Sequence, residues 1–137
     1  MRLRVLMLLA LVTLGAASCA ISPGRAYLVA MRKKINASWS YPCDQSLVSS
    51  GCDYKDADLT LEFHINPDGQ LISVEVLKSS GFGIYDDNAI NAVKLAAPFG
   101  SMPDELKLKA LDRPFRIRAH FKYVANNKTP TLDEQNH

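Results

Sequence analysis

The chain has 137 residues, enough for one domain with a modest core, and 47% of them are hydrophobic, which excludes disorder along its whole length. Basic and acidic residues number 16 and 14, and they balance at 14 each once Arg2 and Arg4 of the leader described below are set aside. A neutral body gives no electrostatic case for nucleic acid.

Arg2 and Arg4 precede an apolar run, Val5 to Ala17, that ends among the small residues Gly15, Ala16, Ala17 and Ser18. This is the charged, apolar and cleavable pattern of a secretory signal, predicted over residues 1–18, with a short linker at 19–24. The other reading is an uncleaved anchor, although the run falls short of the ~20 apolar residues of a spanning helix. Cys19 directly follows Ala16-Ala17-Ser18, which looks like a bacterial lipobox with Ala16 where Leu is usual. Cys19 is thus a candidate lipidation site, with ordinary cleavage near Ser18 or Ala20 as the alternative. Three cysteines in an exported protein leave one to explain. Cys43 and Cys52 lie close enough to close a short disulfide loop in an oxidising compartment, stabilising by ~2–3 kcal/mol. A zinc site lacks a second ligand pair at suitable spacing, and no Cys-x-x-Cys suggests redox catalysis. Cys19 then remains unpaired and available for lipid.

Arg25 to Trp39 is predicted as a helix, because Leu28, Met31, Ile35 and Trp39 recur at spacings of three and four. Arg32, Lys33 and Lys34 lie mostly off that stripe; a solvated face explains them, and contact with anionic lipid is the functional alternative. Tyr41-Pro42 ends the element.

From Asp58 the chain alternates. Leu59, Leu61, Phe63 and Ile65 are interleaved with Thr60, Glu62 and His64, the period of a half-buried strand. Asn66-Pro67-Asp68-Gly69 turns it back into a second strand carrying Leu71, Ile72, Val74 and Val76. A type I turn with Gly69 as bulge residue pairs Ile65 with Leu71. Continued without a break, that register sets Phe63 against Ser73 and Leu61 against Glu75. One extra residue near Ile72-Ser73 restores Val74 and Val76 to the core side, so a β-bulge is expected there.

Ser79-Ser80-Gly81-Phe82-Gly83 reads as a loop; it lacks the Gly-Lys-Ser/Thr ending of a phosphate loop. Asp86 is expected to cap a helix running to about Ala97, with Ala89, Ile90, Val93 and Ala96 inward and Pro98 stopping it. Pro103-Asp104-Glu105-Leu106 suits a short helical turn. From Pro114, Phe115, Ile117, Ala119, Phe121 and Tyr123 alternate with Arg116, Arg118, His120 and Lys122, a third strand with one buried and one basic face. Residues 125–137 are polar without periodicity and read as a disordered tail. The result is an α+β domain over 25–124, a three-stranded antiparallel sheet with helices packed on one face in the order α-β-β-α-β.

No catalytic motif emerges. His64 and His120 fall on polar strand faces as solvent-facing residues, and Asp86-Asp87 suits helix capping better than acid–base work. No metal or cofactor is implied. What remains is an interaction module, because a sheet edge can take up an extended partner peptide as a further strand. Arg116, Arg118 and Lys122 are placed either to select an acidic or polar partner or to prevent edge pairing.

The ordered set of Tyr27-Leu28 through Ile35 and Trp39, Pro42, Ile65-Asn66-Pro67-Asp68-Gly69, Val74-x-Val76, Ser79-Ser80-Gly81, Asp86-x-x-Ala89-x-x-Ala92-Val93, Ala97-Pro98-Phe99 and a terminal aromatic strand resembles the C-terminal domain of the TolA/TonB family. The helix ending in Trp and Pro, and the paired cysteines, look more like TolA than TonB. The resemblance implies a periplasmic, non-enzymatic domain that binds partners by strand addition at its last strand, here Arg116, Ile117, Arg118, Ala119, His120, Phe121, Lys122 and Tyr123. Implied partners are TolB-like or other Tol/TonB components, and parasitically colicins or filamentous-phage coat proteins. Since neither a convincing span nor a long spacer is evident, the expectation is a stand-alone envelope domain held by a lipid anchor, not a complete transducer. The alternative is a structural lipoprotein without a strand-addition partner.

Overall fold

Ser22-Pro23 starts the first helix, α1 (Pro23–Ser38), of the computed structural model, which describes residues 20–42, 54–110, 113–125 and 131–135. The Ser22 hydroxyl accepts from the Arg25 amide, and proline suits the first helical position because its missing N–H had no helical partner to lose. Met31 and Ile35 are buried and Leu28 half-buried, as the stripe predicts, while Trp39 caps the helix in an extended conformation.

The strands β1 (Ala57–Ile65) and β2 (Leu71–Lys78) form the expected antiparallel hairpin. Ile65 pairs with Leu71, His64 with Ser73 and Phe63 with Val74, so Ile72 is the extra residue and the bulge lies where the polarity of the two strands requires it. A second irregularity makes Leu77 an extra residue too. Val74 and Val76 return to the core side, but burial fades along the strand: Val74 is half-buried and Val76 is exposed.

The helix α2 (Gly83–Ala96) begins ahead of the expected cap. Phe82 is its N-cap, with no side-chain hydrogen bond, and Asp86 sits in the first turn. There its carboxylate reaches back to accept from the Ser79 and Ser80 hydroxyls and the Ser80 amide. Asp86 thus ties down the preceding loop instead of capping. The short helix α3 (Asp104–Ala110) anchors itself through buried Leu106 and Ala110. Its Glu105 also completes α1. No acidic residue stands in the first turn of α1, and the Gly24 amide donates to Glu105 Oε2 at 2.9 Å, which supplies the negative charge a helix N-terminus favours.

The strand β3 (Phe115–Tyr123) pairs with β1 in unbroken antiparallel register from Phe115↔Ile65 to Tyr123↔Ala57. The expected α-β-β-α-β scaffold is therefore present, with α3 added. The stretch read as an unstructured tail contributes one strand more, β4 (Thr131–Gln135), which pairs antiparallel with β3. The sheet order is β2-β1-β3-β4. One apolar residue in five, Leu132, left no period to read, and it is buried.

The core lies between the helices and one sheet face: Leu59, Leu61, Phe63 and Ile65 of β1 and Ile117, Ala119 and Phe121 of β3 pack with Met31, Ile35, Val93 and Leu106. The opposite sheet face is polar. Arg118 pairs there with Glu62 at 3.1 Å and Lys78 with Asp58 at 2.6 Å. His64 and His120 are half-buried on that face and not fully solvent-facing. Their Nδ1 atoms lie 3.0 Å from Ser73 Oγ and 3.3 Å from Thr60 Oγ1, each a cross-strand partner.

Candidate functional site

The sheet ends in two different edges. On one side β2 is unpaired along its outer side among the described residues, but both its bulges fall on that strand, and the extra residues Ile72 and Leu77 are exposed. A bulge twists an edge and breaks the regular spacing of its amides and carbonyls, which makes it a poor template for another strand. On the other side the outermost strand is β4, and β3 beneath it pairs with β1 without a register shift.

The eight residues expected to bind a partner divide by face. Ile117, Ala119, Phe121 and Tyr123 are buried in the core, while Arg116, Arg118 and Lys122 are exposed and His120 is half-buried on the polar face. Strand addition uses backbone groups at the edge, so buried side chains on alternate positions are compatible with it. What the sequence did not reveal is that the edge is already occupied. β4 pairs with Arg118 to Lys122, and Phe115, Arg116 and Ile117 have no partner in β4 among the described residues.

Behind this edge the backbone of β3 is held by aromatic packing. Tyr123 stacks on Tyr85 with centroids 4.6 Å apart, and Trp39 meets Phe121 and Tyr123 edge-on at 4.9 and 5.1 Å. Trp39 Nε1–H donates to Tyr123 Oη at 2.8 Å, and the phenol's own hydrogen is shared between the Tyr85 carbonyl at 3.0 Å and Asn88 Oδ1 at 3.2 Å. Burial pushes the Tyr123 hydroxyl far above its ordinary value, against a smaller opposing effect of the Trp39 hydrogen bond. On the polar face, the Lys78 hydrogen bond holds Asp58 below the usual carboxylate range against slight desolvation; Lys78, His120 and Lys122 add their charges.

A second feature was not anticipated. Where β1 ends and β2 and β3 begin, an open groove of about 770 Å³ is lined by His64, Ile72, Lys109, Arg113, Phe115 and Arg116, among others. The basic residues between 107 and 118 are evident in the sequence, but which of them converge depends on the turn from α3 into β3. Among the described residues no three His, Cys, Asp or Glu side chains converge as metal ligands, and no helix is long and apolar enough to cross a membrane. Cys19, Cys43 and Cys52, the expected lipid and disulfide sites, lie outside the described residues.

The family profile described as TonB C terminal matches residues 24–117. The chain belongs to the TonB C-terminal family. The match takes in the three helices and the hairpin and stops inside β3, so β4 lies beyond it. Among solved structures this TonB C-terminal domain is similar to the solution structure of the Helicobacter pylori TonB C-terminal domain, at 20% identity and a TM-score of 0.50, covering 72% of this chain and 94% of that one. It also matches TolA domain III, solved bound to a peptide derived from the N-terminus of TolB, at 22% identity and a TM-score of 0.42, covering 70% of this chain and 71% of that one. No curated protein matches it in sequence. Domains of this family mediate protein–protein interaction in envelope systems.

Proposed function

We propose that this TonB C-terminal domain is a non-enzymatic periplasmic protein-binding module that takes up an extended segment of an envelope partner as a strand along β3, over Arg116 to Tyr123. The partner class is the Tol or TonB system, TolB-like components included. Tethering by a lipid on Cys19 and a Cys43–Cys52 bridge belong to the same reading, and the intact mass of the mature protein tests both.

The observation that carries the proposal is the weakness of what covers the edge. β3 is nine residues long and regular, whereas β4 is five residues, of which Leu132 is buried. A partner segment of greater length has more backbone to pair and can replace it. The test is capture from envelope extract with the mature domain and its Leu132→Asp variant. The variant is expected to enrich a Tol or TonB component more strongly than the parent. Equal capture of nothing by both, with the variant shown to be folded, overturns the proposal.

The second reading is a structural envelope protein in which β4 permanently seals the edge, as covering segments do elsewhere. The same β4 pairing favours it. It predicts that amides 118–122 of the intact protein exchange with solvent only on global unfolding.

A further inference from the structure

The groove at the start of β3 is built from separate elements. Lys109 comes from the end of α3, Arg113 from the turn after it, Arg116 from β3, and Ile72 is the bulge residue of β2. His64, from the end of β1, is held by its Ser73 contact at 3.0 Å. Among the described residues Lys109, Arg113 and Arg116 have no ion pair, and no carboxylate appears in the groove's described lining. Elsewhere on the polar face Arg118 is matched by Glu62 and Lys78 by Asp58, whereas Lys122 has no ion pair among the described residues. Lys109, Arg113 and Arg116 are nonetheless gathered in one groove, separate from the smaller one of about 310 Å³ beside Lys78 and Arg118.

We infer that this groove binds a short acidic segment of a partner protein, its carboxylates on Arg113, Arg116 and Lys109 and an apolar side chain against Ile72 and Phe115. Two arginines present planar donors suited to carboxylates, and a wall of mixed apolar and cationic groups suits a peptide better than a bare ion. A volume near 770 Å³ far exceeds one small anion, and cations spread over separate elements call for a ligand with several charges. A long polyanion fits poorly, because it would run onto Glu62, Glu75 and Asp58 of the same face, and the body of the chain has no excess of positive charge. A bilayer fits poorly as well: the site is concave, and among its described residues Ile72 is the one strongly exposed large apolar side chain, at 56%. The inference does not depend on strand exchange, since the stretch that β4 covers begins at Arg118.

The probe is a blocked hexaglutamate peptide titrated into the ¹⁵N-labelled mature chain. Saturable shifts are expected at Ile72, Ser73 and Arg116. Binding is expected to weaken at least about tenfold in Arg113→Glu/Arg116→Glu, and to stay within about twofold in Lys78→Glu, a cation outside the groove. Arg113→Gln/Arg116→Gln, which introduces no new charge, should show the same loss in milder form. Shifts spread evenly over Lys33, Lys78 and Lys122, or unchanged binding in both arginine pairs, overturn the inference. So does equal or tighter binding of inorganic phosphate or of phosphatidylserine vesicles at the same ionic strength. Leu132→Asp should leave hexaglutamate binding unaltered, so failure of the groove and failure of strand exchange give different results.

Discussion

Tyr123 combines three roles in one side chain: it fills core, accepts from Trp39 and donates to the backbone of α2. Removing the hydroxyl leaves a buried indole N–H without its acceptor, so Tyr123→Phe is expected to cost about 1–3 kcal/mol in urea denaturation. The sign of the pH effect follows from burial. A phenol raised in the folded state contributes stability that is fully present below the unfolded value of about 10 and is lost as pH rises from there. Wild-type stability should therefore fall above about pH 10, and Tyr123→Phe should fall less steeply over the same range. Asp86 acts at the other end of the scale. Partial burial pushes its carboxyl up, but hydrogen bonds from Ser79 and Ser80 outweigh that and hold it below the usual range. Its contribution is present above about pH 4 and lost as pH drops further through the folded value. Asp86→Asn should destabilise by about 1 kcal/mol at neutral pH and show a smaller loss between about pH 4 and 2, measured by the same denaturation.

At the scale of elements, the hairpin and its turn carry most of the predictive content. Gly69 has φ of 81°, as the turn demands, but the tertiary structure adds a second constraint: a Cβ there would lie 2.0 Å from the Gly100 carbonyl oxygen. The turn and the segment after α2 are stitched by hydrogen bonds from Phe99 N–H to the Gly69 carbonyl and from Met102 N–H to the Pro67 carbonyl. Gly69→Ala must both adopt a left-handed backbone and move that segment, so it should cost more than about 2 kcal/mol. Gly81→Ala is the control. Its φ is 84° with open space around the Cβ, so only the backbone term of about 1 kcal/mol applies, and thermal denaturation of the two variants separates the effects. For β4, Leu132→Asp removes a buried side chain, and faster hydrogen exchange at 118–122 without loss of the β1–β2 hairpin is expected.

Across the whole molecule, the helices cover one sheet face and leave the other to cross-strand polar pairs and the basic groove. The β4-covered stretch at 118–122 and the groove at the start of β3 lie apart, with Arg116 common to the groove and to the proposed partner strand. Leu132→Asp should therefore leave the groove unchanged, and Lys109→Glu/Arg113→Glu, which spares Arg116, should leave strand uptake unchanged; the two variants together measure that independence. Alternation in β1 and β3, the turn at Pro67-Asp68-Gly69 and the bulge at Ile72 were legible in the sequence, because each follows from local backbone geometry and from keeping apolar residues on one face. The inward stripes of α1 and α2 were legible for the same reason, although Tyr85 joined the core unannounced. The start of α2 was misplaced because Asp86 spends its carboxylate on Ser79 and Ser80 and not on the helix end. β4 could not be read, since a short edge strand is held by backbone groups every residue has, against a neighbour distant in sequence. The completion of α1 by Glu105, the approach of Gly69 to Gly100 and the meeting of Lys109, Arg113 and Arg116 were likewise decided by tertiary structure alone. Periodicity belongs to the local chain, whereas which edge is covered and which charges converge depends on where distant elements come to rest.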